Sequence, residues 1–411
     1  MSPWPLQRIG DISRYVTVGY VGTQSNLFVD SGIPLLRGQN VRPYVLDLTN
    51  LKYISSEIHA KWRKSALKPG DVVIVRVGYP GTACVIPEGI GELNAASLVI
   101  VRPDPDLANS QYLAYVLNSG FGKERIASLL VGSAQQVLNT GTVAAMEIPC
   151  PSLPVQIKIA ILLSFYDDLI ANNNRRIKLL EEIAQRHYRE WFVDFRYPGH
   201  EGALLVDSEL GPIPQEWVVR NLFDVADVTF GFPFKSQLFN ETVGMPLIRI
   251  RDIPTGESAT FTPEEPDARY RIHDGDILVG MDGDFHMGRW SAGEAWLNQR
   301  VVRFRIISDA FCRYALFLAL EKPISDWNQA IVGTTVAHLG KRHLELIKVL
   351  TPTAAVGQTL SALLDPIFDL EINLRKVTRQ LRVARDLLLP RLISGEIDVT
   401  DLEIAMPEMA A

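Results

Sequence analysis

Two stretches of this chain repeat apolar residues at alternating steps of three and four for four heptads, and no other feature limits the fold so tightly. In the first, Leu163, Tyr166, Ile170, Asn173, Ile177, Leu180, Ala184, His187 and Trp191 follow the pattern. In the second, Leu360, Leu363, Ile367, Leu370, Leu374, Val377, Leu381, Ala384 and Leu388 follow it too. A spacing that averages 3.5 predicts a coiled-coil seam, and the obvious partner of each helix is the other. About 38 residues at about 1.5 Å per residue give a rod of roughly 57 Å. Joined through globular domains, the helices run most simply antiparallel, as a spacer. Asn173 at a core position is expected to fix register, and His187 reads as a hydrogen-bonded seam histidine rather than a ligand. Pro366 removes a helical hydrogen bond, so the second helix is expected to begin near Asp365 or to kink there.

The rest of the chain is also duplicated. Trp4-x4-Ile9-x-Asp11-Ile12 recurs as Trp217-x4-Leu222-x-Asp224-Val225, and Pro34-Leu35-Leu36-Arg37 as Pro246-Leu247-Ile248-Arg249. Pro69-Gly70-Asp71-Val72 recurs as Asp274-Gly275-Asp276-Ile277, Val131-Gly132 as Val332-Gly333, and Gln156 as Gln358. The offset falls from 213 to about 202 along the chain, as expected if loops of the second copy lost residues while the scaffold kept its order. A duplicated module can place two similar surfaces about a pseudo-twofold axis, which suits a target with two parts.

Each copy reads as mixed α and β. Asp71-Val-Val-Ile-Val-Arg-Val and Ser97-Leu-Val-Ile-Val-Arg are β-branched runs bounded by Gly and Pro, hence strands. Ser110 to Leu117 and Lys123 to Leu130 carry helical periodicity. The second copy repeats this with strands at Asp276-Ile-Leu-Val and Val301-Val-Arg-Phe-Arg-Ile and a helix near Phe311 to Leu320. The expected order is therefore an α+β chain: a mixed domain over 1–152, a central long helix over 153–197, a second mixed domain over 198–352, a C-terminal long helix over 353–400 and a tail over 401–411.

Composition narrows the partners. With 411 residues, 47% hydrophobic and 21% charged, the chain is long enough for two cores. Its three cysteines, Cys84, Cys150 and Cys312, form no Cys-x-x-Cys pair, which disfavours a zinc finger or disulfide framework and suits a reducing compartment. Met1 to Gly10 has no apolar core of a signal peptide, and apolar runs such as Ile159 to Leu163 are too short to span a bilayer; a cytoplasmic location is expected. The net charge of −6 does not advertise a polyanion binder, but its distribution is uneven. Arg37 to Arg76 holds eight Lys or Arg against three acids, interleaved with Gln39, Asn40, Tyr44, Tyr53, His59 and Trp62. Arg375 to Arg391 holds six against Asp386 alone. Solvated basic faces are the plain reading; amide, aromatic and basic side chains together also suit phosphate and groove contacts.

Catalytic motifs are scarce. Gly333 to Gly340-Lys341-Arg342 has the wrong glycine spacing for a phosphate loop, and Gly89-Ile-Gly91 is no dinucleotide fingerprint. No Asp/Asn-Pro-Pro-aromatic segment holds a flipped base, and the seven histidines form no ligand spacing. Asp167-Asp168 and Glu181-Glu182 lie on helices near Arg or Lys, so ion pairing accounts for them. The loop Met281-Asp-Gly-Asp-Phe-His286 could ligate a metal in principle, but its glycine and Phe285 look more like an exposed turn shaped for contact.

Several segments resemble one family. Gly132-Ser-Ala-Gln-Gln-Val-Leu-Asn followed by Ile148-Pro-Cys-Pro-Ser-Leu-Pro154-Val-Gln156 is similar to the end of a target-recognition domain in specificity subunits of Type I restriction-modification systems. Asn172-Asn-Asn-Arg-Arg-Ile, Trp191-Phe-Val-Asp-Phe, Ser208-Glu-Leu-Gly-Pro-Ile-Pro, Leu297-Asn-Gln-Arg-Val and Leu389-Pro-Arg-Leu-Ile-Ser-Gly-Glu-Ile resemble that family as well. Val155-Gln156 and Gly357-Gln358 stand where the family usually carries Glu-Gln. The resemblance spans Trp4 to Asp398.

The resemblance implies a non-catalytic subunit that reads a split sequence in double-stranded DNA and docks two modification (methyltransferase) subunits and the restriction motor-nuclease subunits, with no membrane partner. S-adenosylmethionine, ATP and Mg are then expected on those partners and no cofactor on this chain. Base-reading residues would come from loops of the two domains: Arg37, Gln39, Asn40, Tyr79, Gln135 and Gln136 in the first, and Arg249, Arg251, Asp282, Asp284, Phe285, His286, Thr334 and Thr335 in the second. Arg pairs bidentately with guanine, Asn and Gln with adenine, and Asp accepts from cytosine. Two other classes stay open: a duplicated scaffold or regulator that binds proteins, and a single-chain methyltransferase or nuclease.

Overall fold

The protein is described here by a computed structural model, in which residues 4–23, 25–130, 137–308, 311–331 and 338–404 are described. It divides into two compact units, Met1–Ile170 with Leu381–Ala411, and Ala171–Gln380. The boundary cuts through both long helices, so each unit holds the start of one and the end of the other.

The internal repeat is a repeat of topology. In the first unit Ser13–Val18, Leu98–Pro103, Val72–Val75 and Ala83–Val85 lie side by side in that order, every pair antiparallel. In the second, Ala226–Phe230, Val301–Ile306, Ile277–Gly280 and Met287–Arg289 do the same. A second four-stranded sheet, Lys52–Ile54, Ile33–Leu36, Leu93–Ala95 and Ala66–Leu67, is mixed, because Ile33–Leu36 and Leu93–Ala95 run parallel. Phe261–Thr262, Met245–Ile248, Ala295–Leu297 and Arg271–Ile272 reproduce it, including the single parallel pair.

The repeated Gly-Asp turn locks each unit. Gly70 and Gly275 take φ of +83° and +90°, a backbone that side chains rarely adopt, and the turn delivers Asp71 or Asp276 into the interior. Asp71 accepts from the Lys68 N–H at 2.8 Å and grips Arg102 bidentately at 2.6 and 2.6 Å. Asp276 accepts from the His273 N–H at 2.8 Å and grips Arg305 at 2.6 and 2.6 Å. These hydrogen bonds raise both guanidinium pKa values, against the opposing effect of burial. Each lock ties the start of one strand to the end of its neighbour.

The long helices span Leu153–Phe192 and Ala354–Ser394. Pro154 and Pro366 sit differently in them. Pro154 falls in the first turn, where its missing N–H had no helical partner. Pro366 lies inside, so the second helix does not begin near Asp365 as the proline suggested. Likewise the helix expected near Phe311 to Leu320 runs as Arg313–Ile331, through Pro323.

The first seam is buried at Leu163, Ile170, Asn173, Ile177, Ala184 and Trp191, and half-buried at Tyr166, Leu180 and His187. The Nδ1 of His187 is buried with no hydrogen-bond partner among the described atoms. The second seam is corrected further. Leu374 is buried, but Leu370 is 40% exposed, and Leu363, Ile367 and Leu381 are only half-buried. Leu360, a seam position, is buried in the core of the second unit together with Leu364, Phe368 and Ile372, which lie off the seam at steps of four. A helix turns every 3.6 residues, so a stripe facing the domain drifts away from a 3.5-residue seam, and this helix serves both faces.

Antiparallel pairing is visible inside each unit. In the first, Val155, Ile159, Ala160 and Leu163 from the start of the central helix share a core with Leu389, Leu392 and Ile393 from the end of the other. In the second, Ala184, Trp191 and Phe192 share a core with Leu360, Leu364 and Phe368. Polar side chains add direction. Asp167 accepts from the Tyr115 hydroxyl and the Arg385 guanidinium at 2.5 Å each, and Arg385 covers the Tyr44 ring. In the second unit Glu371, fully buried, accepts from Tyr314 at 2.7 Å, Arg289 at 2.8 Å and Arg375 at 2.7 Å; Glu181 of the central helix meets both arginines at 2.7 Å. Two carboxylates face two guanidiniums, so the buried charge balances. Among the described residues no helix is long and apolar enough to cross a membrane.

Candidate nucleic-acid interface

In each unit the turn after the parallel strand, the loop after the central antiparallel strand and an incoming late segment converge at one edge. In the second unit Arg249 precedes and Arg251 lies within the turn Ile250–Asp252, which abuts the strand end so closely that a Cβ on Gly280 would lie 2.8 Å from Ile250 Cγ2. The next loop, 281–286, is held by Met281 N–H to Arg300 O at 2.9 Å and by Leu339 N–H to Met281 O at 2.7 Å. Asp282 bonds His338 Nδ1 at 2.6 Å and faces Arg300 Nε at 3.3 Å. Arg251 reaches Thr260 Oγ1 at 3.3 Å and stays exposed, as do Asp284 and His286.

The first unit builds the same edge from different side chains. Arg37 precedes the turn Gly38–Asn40, and a Cβ on Gly38 would touch Val75 Cγ1, at the end of the central strand, at 3.6 Å. The loop that follows begins at Arg76 and carries Tyr79 between glycines at φ +88° and +92°, and Tyr79 is 84% exposed. Leu138 bonds Arg76 through the backbone at 3.1 Å, as Leu339 bonds Met281. The Arg76 Nε–H also donates to Leu138 O at 3.0 Å. Arg37 and Lys52 both lie 5.9 Å from the Phe28 ring centre.

Two duplicated edges carrying Arg, Gln, Tyr and Asp at the surface form an arrangement that can read polar groups at two places. The family model described as "Type I restriction modification DNA specificity domain" matches residues 42–182 and 214–383, one copy on each side of residue 200. The chain belongs to this family. It is 28% identical over 309 residues to the Type I restriction enzyme MjaIX specificity subunit of Methanocaldococcus jannaschii, covering 71% of this chain and 70% of that one. It is 31% identical over 194 residues to the EcoBI specificity subunit of Escherichia coli, covering 46% and 41%. The crystal structure of a Type I restriction-modification system S subunit from M. genitalium shares the fold at a TM-score of 0.59 and 16% identity, over 95% of this chain and 96% of that one.

For a member of the specificity family, the candidate readers sort by burial. Arg37, Gln39, Tyr79, Arg249, Arg251, Asp282, Asp284 and His286 lie on the two edges, half-buried or exposed. Asn40 lies inside rather than on the edge: it is 1% exposed, accepts from the Arg37 N–H at 3.1 Å and donates to Asp47 O and Thr49 O at 3.0 and 3.2 Å. All its polar capacity facing the turn is used, which makes it a structural cap, as Asp252 is in the second unit, where it accepts from the Arg249 N–H at 2.8 Å. Phe285 is 5% exposed and belongs to the second core, with its N–H bonded to Asn328. The turn around it is exposed, but the ring faces inward. Gln135, Gln136, Thr334 and Thr335 lie outside the described residues. Among the described residues no three His, Cys, Asp or Glu side chains converge as a metal site, the 281–286 loop included.

Arg76, Arg300 and His338 are edge residues that sequence reasoning passed over. Arg76 ends a β-branched run and Arg300 closes Leu297-Asn-Gln-Arg-Val, so both had a visible place but no visible direction. All three cysteines are buried, and burial pushes the Cys84 and Cys312 thiols up to about 12.

Proposed function

We propose that this chain reads a split sequence in double-stranded DNA, one part with each unit, and presents that DNA to other subunits of a Type I restriction-modification enzyme. Two modification subunits would bring S-adenosylmethionine and methylate the bound DNA, and restriction subunits would bring ATP and Mg. The observation that carries the reading is the pattern of agreement and difference between the repeats. Their locks, sheets and turns coincide, while the exposed residues at the two edges diverge, as suits one scaffold reading two base sequences. Membership of the specificity family supplies the nucleic acid. The acidic net charge fits a subunit that borrows phosphate-binding charge from partners.

The test is binding-site selection from a random duplex library with the full chain and its cognate modification subunits. A target of two defined parts around an unread gap is expected, with methyl transfer only when those subunits are present. Methylation by the purified chain alone, or binding without sequence preference in the full complex, would overturn the reading. Inserting about four residues within Ile177 to Gln185 addresses the helices as a spacer: the gap should change while both parts of the target persist.

A further inference from the structure

Each edge holds one guanidinium engaged at its Nε, by a hydrogen bond in the first unit and by an ion pair in the second. In the first unit the Arg76 Nε–H donates to Leu138 O at 3.0 Å, while the Leu138 N–H donates to Arg76 O at 3.1 Å. In the second unit the matching backbone link, Leu339 to Met281, carries no arginine at that position. The guanidinium comes instead from Arg300, whose carbonyl accepts from the Met281 N–H and whose Nε lies 3.3 Å from Asp282 Oδ2. Asp282 is in turn fastened on its other oxygen by His338 at 2.6 Å. The Arg300 side chain remains 54% exposed. Asp282 has both oxygens engaged, so it positions a cation better than it accepts from a base.

We infer that Arg76 and Arg300 are the pre-oriented guanine readers of the two units, with Asp282 as the positioning residue for Arg300. The inference rests on the proposed DNA reading and deepens it. With Nε engaged, the two terminal nitrogens remain as a pair whose spacing guanine O6 and N7 accept in the major groove. A side chain already oriented loses less freedom on binding, which favours a base edge over a diffuse phosphate contact.

The experiment is the same site selection, run on the full chain with its modification subunits for wild type, Arg76→Lys, Arg300→Lys and Asp282→Asn. Lysine keeps the charge but not the bidentate pair. Arg76→Lys is expected to lower discrimination at one G·C pair of one half of the target by roughly 5- to 140-fold. Arg300→Lys should act the same way in the other half. Asp282→Asn should weaken the same base pair as Arg300→Lys and add little in the double variant, which a merely structural role would not reproduce. Unchanged base preference, or a uniform loss across all sequences with an altered salt slope, would overturn the inference while leaving the DNA reading intact. Wild-type protein without sequence preference would instead sink that reading. Urea melts of each variant confirm that the fold persists.

Discussion

Asp71 grips Arg102 and Asp276 grips Arg305 at the same distances, yet the loops that leave these locked strands share almost nothing. After Val75 the first unit runs Arg76-Val-Gly-Tyr79; after Gly280 the second runs Met281-Asp-Gly-Asp284. The comparison separates two selection pressures by location. Residues that satisfy buried polar groups are held to one solution, because an unmet partner costs several kcal/mol. Residues at the edge answer to whatever is bound there. The helix anchors fall between these extremes. The first unit uses one carboxylate and one guanidinium, Asp167 and Arg385, whereas the second uses Glu371, Glu181, Arg289 and Arg375.

That last difference offers the largest expected effect. Glu371 is fully buried and meets two guanidiniums and a hydroxyl, so Glu371→Ala leaves Arg289, beneath the Tyr314 and Phe317 rings, with Glu181 as its one remaining carboxylate and the Tyr314 hydroxyl without its acceptor. A loss of about 3–5 kcal/mol is expected in urea unfolding. Asp167→Ala should cost less, because its carboxylate is partly exposed and has a single cation. Equal losses would mean that the larger network adds nothing to the second unit's hold on its helices.

The locks test the other half of the comparison. Asp71→Ala and Asp276→Ala each leave a half-buried arginine without its bidentate partner and the preceding turn without its acceptor. Both should cost about 3 kcal/mol, and the two values should agree within about 1 kcal/mol if the locks are equivalent. A wide gap, read by the same urea melts, would show that matching geometry hides different surroundings.

How much of this was legible beforehand depends on how far each residue acts along the chain. The duplication, the strands at Val72–Val75 and Leu98–Pro103 and the first helical seam rest on local periodicity, and they could be read directly. The role of Asp71 could not, since Arg102 reaches it from 31 residues away. Asn40 resembled a reader because its local capping bond to Arg37 is invisible without the turn. Leu370 fitted the heptad but lost its place to Leu364 and Phe368, which face a domain that periodicity cannot see. Gln156 and Gln358 matched as sequence, yet Gln156 is buried, bonding Asn109 N–H, Leu107 O and Pro151 O, while Gln358 is exposed. Family membership was carried by short segments throughout, and so was visible early.

A smaller effect separates the edges. Arg249 and Arg37 occupy equivalent positions ahead of equivalent turns, but each belongs to its own unit. Arg249→Ala, or Arg251→Ala, should relax preference in one part of the target only, by about 1–3 kcal/mol at a base pair that the arginine reads bidentately. Arg37→Ala or Gln39→Ala should act on the other part. Site selection on each variant checks this, and a single substitution that altered both parts would count against independent reading.

The smallest effect concerns the one cap that differs in charge. Asn40 and Asp252 hold the same turn, each accepting the backbone N–H three residues earlier. Burial raises the Asp252 carboxyl above its ordinary value, outweighing the opposing pull of the Arg249 N–H and of Arg251. A carboxyl raised in the folded state holds its proton there after the unfolded chain has released it. Stability from this group is therefore complete below the ordinary aspartate range, near pH 4, and declines as pH rises through the raised folded value. Asp252→Asn imports the first unit's solution: the side-chain oxygen still accepts from Arg249, and no charge is buried. It should remove that decline and leave neutral-pH stability equal or higher by on the order of 1 kcal/mol or less. Urea melts between about pH 4 and pH 7 on wild type and variant read the difference directly. A variant that loses stability at neutral pH would show that the Arg251 contact at 3.7 Å outweighs the burial of the charge, and that the two caps are not interchangeable.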